Sequence, residues 1–326
     1  MNLRRTLCRT GLVAMAGLGL LASCSQPGAN GGKAGGGASA GRPRVALVMK
    51  SLANEFFKTM EDGARAHQKA NAARYDLTCS GIKDEQDVAQ QIAIVEQMIA
   101  QRVDVLVIAP ADSKALVPVC KKAAEAGIVV VNIDNRFDAA ALKDKQLAIP
   151  FVGPDNRKGA RLGGDCLAAK LAKGDAVAIV EGVPNAFNGV QRRLGFEDAM
   201  NAAGLRIVSS QSANWMPDQA EKVVAGMLVQ HPDLKALLCA NDNMALGAVA
   251  ALKAANKAGQ VLVVGYDNIG AIRELMKEGK VLCTVDQHAD RIAVFGIEYG
   301  LEILAKKTPP ADRETPVDLV TAEGLK

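Results

Sequence analysis

Two apolar patterns alternate along the chain. Short runs of Val, Ile, Leu and Ala, of strand length, are followed by longer stretches whose apolar residues recur at helical spacing. The first run, Val45-Ala-Leu-Val-Met49, stops at Lys50. A polar turn through Asn54 follows, then a helical pattern carrying Phe56, Met60, Ala64 and Ala66. The same order predicts strands at 75–79, 103–109, 128–133 and 148–153, then at 176–180, 205–209, 236–240, 261–266 and 281–285. Helices are predicted between them, the one after 103–109 capped by residues 110–113, but none between 133 and 148. Another is predicted from 292 to 305, and residues 315–320 read as a final extended segment.

Strands alternating with helices predict parallel sheets built from right-handed crossovers. A polar interruption near Gly153-Pro154 divides the pattern into two similar halves, without any repeat of residue identity. The fold class is therefore α/β, with two doubly wound, Rossmann-like parallel-sheet domains. Ligands of such sheets bind in the crevice outside the carboxyl ends of the strands. Those ends hold Lys50 and Asn54, Asp134 and Asn135, Asn241 and Asp242, Asp267 and Asn268, and Asp286 with Gln287.

Asn and Asp are also the preferred helix caps and turn residues, so any one of these positions has a purely structural explanation. Taken together they come from both halves and mix amides, carboxylates and a lysine. Carboxylates accept hydrogen bonds, Lys and Arg donate, and Asn and Gln do both, which suits a neutral, hydroxyl-rich ligand. Asp134 and Asp267 are also compatible with a carboxylate pair acting on a glycosidic bond. Phe56, Phe57 and Trp215 are the aromatic candidates for stacking on a sugar, although the phenylalanines equally suit helix-to-sheet packing. Trp215 lies in a polar turn, Gln211-Ser-Ala-Asn-Trp-Met-Pro217, where a ligand wall is the better reading.

Composition narrows the classes. With seven Phe, three Tyr and one Trp, the core must be largely aliphatic. The formal charge of +4 falls to +1 once Arg4, Arg5 and Arg9 are set aside, too little to argue for nucleic acid or a polyanionic partner. Cys79, Cys120, Cys166, Cys239 and Cys283 have neither zinc nor redox spacing and read as mostly free, buried thiols. The acidic run Asp84-Glu85-Gln86-Asp87 reads as a helix start rather than a metal site. His67, His231 and His288 are isolated, and no nucleophile elbow or other enzyme motif occurs. The sequence implies no cofactor, no metal and no catalytic residue.

The amino terminus carries an address. Three arginines precede an uncharged apolar run from Gly11 to Ala22, the pattern of a secretory signal and too short for a membrane span. The run ends in Leu21-Ala-Ser-Cys24, which resembles the lipobox of bacterial lipoproteins. That resemblance implies removal of residues 1–23 and lipid attachment at Cys24. Residues 24–43 are Gly-rich and read as a flexible tether. The folded body would then hang from a membrane, in the periplasm or at the cell surface.

Five segments occur in an order that identifies a wider likeness. These are Val45-Ala-Leu-Val through Asn54-Glu-Phe-Phe57, Val131-Asn-Ile-Asp134, Gln191-Arg-Arg-x-Gly-Phe196, Ala240-Asn-Asp-x-Met-Ala-Leu-Gly247 and Val263-Val-Gly-Tyr-Asp267. From about Arg44 onward the chain resembles the periplasmic ribose- and allose-binding proteins that feed ATP-driven (ABC) sugar importers. The resemblance implies a site lined by Asn54, Phe57, Asp134, Arg192, Trp215, Asn241, Asp267 and Gln287, with Phe56 beside them. It implies a three-segment hinge near Gly153, Gln287 and Asp318, joining lobes 44–153 plus 288–317 and 154–287 plus 318–326. Lys50 replaces the small hydroxyl residue of ribose binders and follows the allose-type pattern, and Asn135 replaces their arginine. The implied ligand is a monosaccharide, an allose-like hexose or ketose ahead of ribose. The implied partner is a membrane permease, and the implied state a monomer. A sugar sensor serving a chemoreceptor or sensor kinase, and a carbohydrate-acting enzyme, are the alternatives.

Overall fold

Strand β1 (Arg44–Ser51) is buried at every residue from Val45 onward. An unbroken apolar run is what a strand covered on both faces requires. Val45, Leu47 and Met49 enter one core, while Ala46 and Val48 enter a second core on the opposite face. The structure is a computed structural model that describes residues 41–306 and 309–325. The predicted signal, the lipidation site Cys24 and the tether before Gly41 lie outside the described residues.

The first half continues through α1 (Glu55–Ala70), β2 (Asp76–Ile82), α2 (Val88–Ala100), β3 (Val105–Ile108), α3 (Val117–Glu125), β4 (Val129–Ile133), α4 (Ala139–Asp144) and β5 (Phe151–Pro154). The second runs α5 (Asn156–Ala168), β6 (Ala176–Glu181), α6 (Phe187–Ala202), β7 (Arg206–Ser212), α7 (Pro217–Gln230), β8 (Ala236–Cys239), α8 (Asp242–Ala254), β9 (Leu262–Val264), α9 (Gly270–Lys277) and β10 (Cys283–Asp286). Helix α10 (Ala289–Lys306) then returns to pack on α1, β3 and β4.

Each half builds one sheet, β5-β4-β3-β1-β2 and β10-β9-β8-β6-β7, and all these pairings are parallel. In both sheets the strand order reverses next to the first strand, between β1 and β3 and between β6 and β8. Such a switch point opens a crevice at the carboxyl ends. Gln91 of α2, wholly buried, closes the floor of the first one. Its Nε2 donates to Met49 O at 3.0 Å and Ala109 O at 2.9 Å, and its Oε1 accepts from Ala111 N at 2.8 Å.

The structure departs from the expected pattern in three places. The tail forms two strands instead of one extended segment, because Pro316 interrupts it. Strand β11 (Arg313–Thr315) runs parallel beside β5, and β12 (Asp318–Thr321) pairs antiparallel with β10. Helix α4, capped by Asp138, is too short for its periodicity to show in sequence. Asp112 closes a turn onto Lys114 N and Ala115 N, so α3 starts only at Val117. The chain thus passes between the sheets after β5, after β10 and between β11 and β12. The last two crossings are linked by His288 Nε2, 2.7 Å from Asp318 Oδ2.

Candidate functional site

The carboxyl ends of the two sheets face one another across a small, narrow cavity. Its wall contains Lys50, Asn54, Phe56, Phe57, Asp134, Arg192, Trp215, Asn241, Asp267 and Gln287, ten of the eleven positions singled out from sequence. Glu85 and Asn188 complete it.

Lys50 is the penultimate residue of β1, and only 3% of it reaches solvent. Its ammonium lies 3.0 Å from Asp134 Oδ2 and 3.9 Å from Glu85 Oε2, and within 6 Å of the Phe57 and Trp215 rings. Asp134 follows β4 at a backbone φ of 59°, a conformation costly for any residue with a side chain. Asn132 holds that turn. Its Nδ2 donates to Asn135 O at 2.8 Å and its Oδ1 accepts from Phe137 N at 2.8 Å.

Trp215 (φ 67°) and Asp267 (φ 124°) are held in the same unfavourable half of conformational space. Strain of this kind concentrates where the surrounding structure must aim a side chain. The Trp215 indole lies against the backbone of Gly182, where a Cβ would sit inside the ring, so glycine is required there. Phe56 and Phe57 meet edge-on, with centroids 5.1 Å apart and planes at 84°. Both belong to the core and to the cavity wall, so packing and lining are two faces of the same rings.

On the opposite side, Arg192 of α6 is fixed from three directions. Its Nε donates to Asn156 Oδ1 at 2.8 Å and its Nη1 to Ala240 O at 2.9 Å, while the guanidinium lies 3.8 Å from the Tyr266 ring centroid. Nη1 also reaches Asp267 Oδ1 at 3.4 Å, and Gln287 Nε2 donates to that oxygen at 2.8 Å. Burial drives the Asp267 carboxyl well above the usual range despite the arginine. Burial likewise pushes Glu85 up, opposed by Lys50 and by the bond from Asn54 Nδ2 at 3.1 Å.

Asn54 and Asn241 are at once helix caps and cavity residues. Asn54 Oδ1 accepts from Phe56 N at 3.0 Å, and Asn241 Oδ1 from Met244 N at 2.9 Å. Asn135 is the correction: it does not reach the cavity. Its Nδ2 donates to Pro110 O at 2.9 Å, and its Oδ1 accepts from Asn188 N at 3.2 Å, so the side chain is spent at the edge of the cleft. Asn268 and Asp286 bond to each other, and Asp242 turns beneath the site toward Ile269 N and Thr284 Oγ1.

Glu85 was hidden in the acidic run. Asp87 is the residue that caps α2, through Gln90 N at 2.9 Å, while Glu85 turns inward and is 3% exposed. Two carboxylates of the run serve different ends, and sequence offered only one reading for both. Asn188 sits in the first turn of α6, just before the helical pattern that sequence shows from Val190.

Four buried polar atoms in this wall lack a hydrogen-bond partner: Glu85 Oε2, Asp134 Oδ2, Arg192 Nη2 and Gln287 Oε1. Asp134 Oδ2 has charge contact with Lys50 but not hydrogen-bond geometry. Unsatisfied buried groups cost about 1–3 kcal/mol each, and more when charged. Three acceptors and one donor, flanked by aromatic rings, match a ligand that both donates and accepts.

The periplasmic binding protein domain model matches residues 45–308. The chain is 62% identical over 285 residues to the D-ribose/D-allose-binding protein of Pseudomonas aeruginosa, spanning 86% of this chain and 89% of that protein. A crystal structure of an ABC transporter solute-binding protein from Burkholderia multivorans superposes with a TM-score of 0.85 at 60% identity, covering 86% of this chain and 100% of the other. A periplasmic solute-binding protein from Actinobacillus succinogenes, solved with bound D-allose, gives 0.83 at 38% identity, over 87% and 99%.

Proposed function

The chain belongs to the periplasmic binding protein family, and from that premise we propose that it is a receptor that closes on a monosaccharide and delivers it to an ABC importer. The carrying observation is the set of four unpartnered polar atoms in a small, aromatic-flanked cavity. Sugar hydroxyls donate to Glu85, Asp134 and Gln287 and accept from Arg192, while the C–H faces of the ring stack on Phe57 and Trp215. No bond needs to break: the sugar acts by binding the closed form better than the open one.

An aldose of the ribose/allose type is the favoured ligand, with a hexose ahead of a pentose. The names of the relatives point that way, and the Lys50–Glu85–Asn54 cluster extends the polar wall on one side. The lobes 44–153 plus 288–317 and 154–287 plus 318–326 move as bodies about the three crossings. The receptor is a monomer, held at a membrane, in the periplasm or at the cell surface, through lipid on Cys24.

Titration of the protein with D-allose, D-ribose, ketohexoses and inositols, by calorimetry and Trp215 fluorescence, tests the reading. Saturable binding of one of these at a Kd of about 1 μM, roughly −8 kcal/mol, is expected. Silence across the whole panel in both measurements would overturn it. Mass spectrometry of the cell-purified protein tests Cys24: a diacylglyceryl adduct is expected, and an unmodified thiol refutes the anchor.

A further inference from the structure

The two lobes also touch at the margins of the sugar cavity, at two places that share one chemistry. Glu55, the first residue of α1, reaches across the cleft to the start of α9. Its Oε1 accepts from Gly270 N at 2.7 Å, and its Oε2 lies 3.5 Å from Ala271 N. On the other flank, Ser113 Oγ accepts from Phe187 N at 3.0 Å and Asn135 Oδ1 accepts from Asn188 N at 3.2 Å, both at the start of α6. Ser113 Oγ in turn donates to Asn135 Oδ1 at 3.3 Å, linking the two acceptors.

The first amides of a helix have no partner within it, and a side chain of the cap residue normally supplies one. Asn54, Asp87, Asp138, Asp155 and Asn241 do so for α1, α2, α4, α5 and α8. Among α1–α9, four helices have no such bond from their own cap residue: α3, α6, α7 and α9. Helices α3 and α7 carry proline in the first turn, which removes a donor. Helices α6 and α9 carry Ala186 and Ile269 as caps and no proline there, and they are the two that receive acceptors from the other lobe. A Cβ on Gly270 would come 2.7 Å from the Glu55 oxygen, so glycine keeps that approach open.

We propose that Glu55 and the Ser113–Asn135 pair are closure latches, acceptors on one lobe that cap helices α9 and α6 of the other only when the cleft is shut. The caps exist in the closed form alone, so they stabilise it without touching the sugar. Two helix starts left bare in the open form are satisfied by water there, and the carboxylate meets the positive end of the α9 dipole on closing. Affinity and residence time therefore depend on residues that no inspection of the cavity would select. This inference rests on the sugar-receptor reading.

The test uses the full mature protein and the sugar that binds best in the panel. Glu55→Ala, Glu55→Gln and Ser113→Ala are compared with wild type by stopped-flow binding and by melting with and without sugar. Loss of a cap is typically worth about 1 kcal/mol, so each alanine variant is expected to weaken affinity about fivefold, chiefly through faster dissociation. Glu55→Gln, which keeps an acceptor, should recover part of the loss. Apoprotein melting should be unchanged, while the sugar-induced rise in Tm shrinks. A merely structural cap would instead lower the apoprotein Tm. Should Glu55→Ala fail to fold, Ser113→Ala and Glu55→Gln carry the same test. Wild type that binds no sugar refutes the receptor reading. Wild type that binds while all variants keep its affinity and dissociation rate refutes the latches alone.

Discussion

Lys50 Nζ lies 3.0 Å from Asp134 Oδ2, with both side chains almost wholly out of water. Glu85 Oε2, at 3.9 Å, makes the lysine the shared counter-ion of two buried carboxylates. A lysine at the end of a buried strand is costly unless its charge is met, and here it is met twice.

Lys50→Met should therefore strand two buried negative charges. Removing one partner of a buried pair costs about 3–5 kcal/mol, and urea unfolding of the sugar-free protein measures it. Adding Asp134→Asn to Lys50→Met should restore part of the loss, because it removes one of the stranded charges. A single variant as stable as wild type would show that Lys50 is not what holds these carboxylates.

Asp267→Ala acts on the other lobe. The carboxylate holds Gln287 Nε2 and Arg192, and its loss frees both from their positions in the wall. Hydrogen bonds to charged groups are worth about 1.5–3 kcal/mol, so sugar affinity should fall at least about ten- to hundredfold in calorimetry. Affinity within twofold of wild type would remove Asp267 from the site.

The fold and most of this wall were legible because both follow from short-range pattern. Alternating apolar runs specify the parallel sheets, and a parallel sheet specifies where its ligand goes. Asn54 and Asn241 show that the choice between cap and wall was a false one, since the amide oxygen caps while the nitrogen reaches another wall residue, Glu85 from Asn54 and Trp215 from Asn241. Glu85 was not legible, because its inward turn depends on Lys50 and Asn54, distant in sequence, and its neighbour Asp87 already explained the helix start. Asn135 was misassigned for the complementary reason. It has the right residue type at a strand end, but Pro110 and the start of α6 claim its side chain. The split of the tail into two sheets likewise depends on partners far away in the chain.

All five cysteines from Cys79 onward are free, and they differ in burial. Burial pushes Cys79 up to about 11 and Cys120 up to about 12. The neighbouring Cys283 thiol, whose Sγ donates to Gly163 O at 3.9 Å, draws half-buried Cys166 down to about 7. The thiolate is the nucleophile, so an aromatic disulfide reagent at pH 8 should label Cys166 first. Cys166→Ser should abolish that fast phase, and its rate in wild type should rise with a midpoint near pH 7. A fast phase that survives Cys166→Ser would show that another thiol is the reactive one.

Asp242 gives the protein a pH dependence of unusual sign for a carboxylate. It is wholly buried at the start of α8, where it accepts from Ile269 N at 3.0 Å and Thr284 Oγ1 at 2.8 Å. Burial outweighs those bonds and pushes it up to about 7, and Glu85 and Asp267 are raised for the same reason. An unfolded aspartate releases its proton near 4, so between about pH 4 and 7 the native protein binds more protons than the unfolded chain. Stability must fall as pH rises through that window. The Tm of the sugar-free protein should be several degrees higher at pH 5.5 than at pH 8, and Asp242→Asn should flatten part of that slope. A wild-type Tm that is level or rising between those values, or a slope untouched by Asp242→Asn, would show that Asp242 is ionised in the folded protein. The hydrogen bonds from Ile269 and Thr284 would then be strong enough to outweigh the burial of the charge.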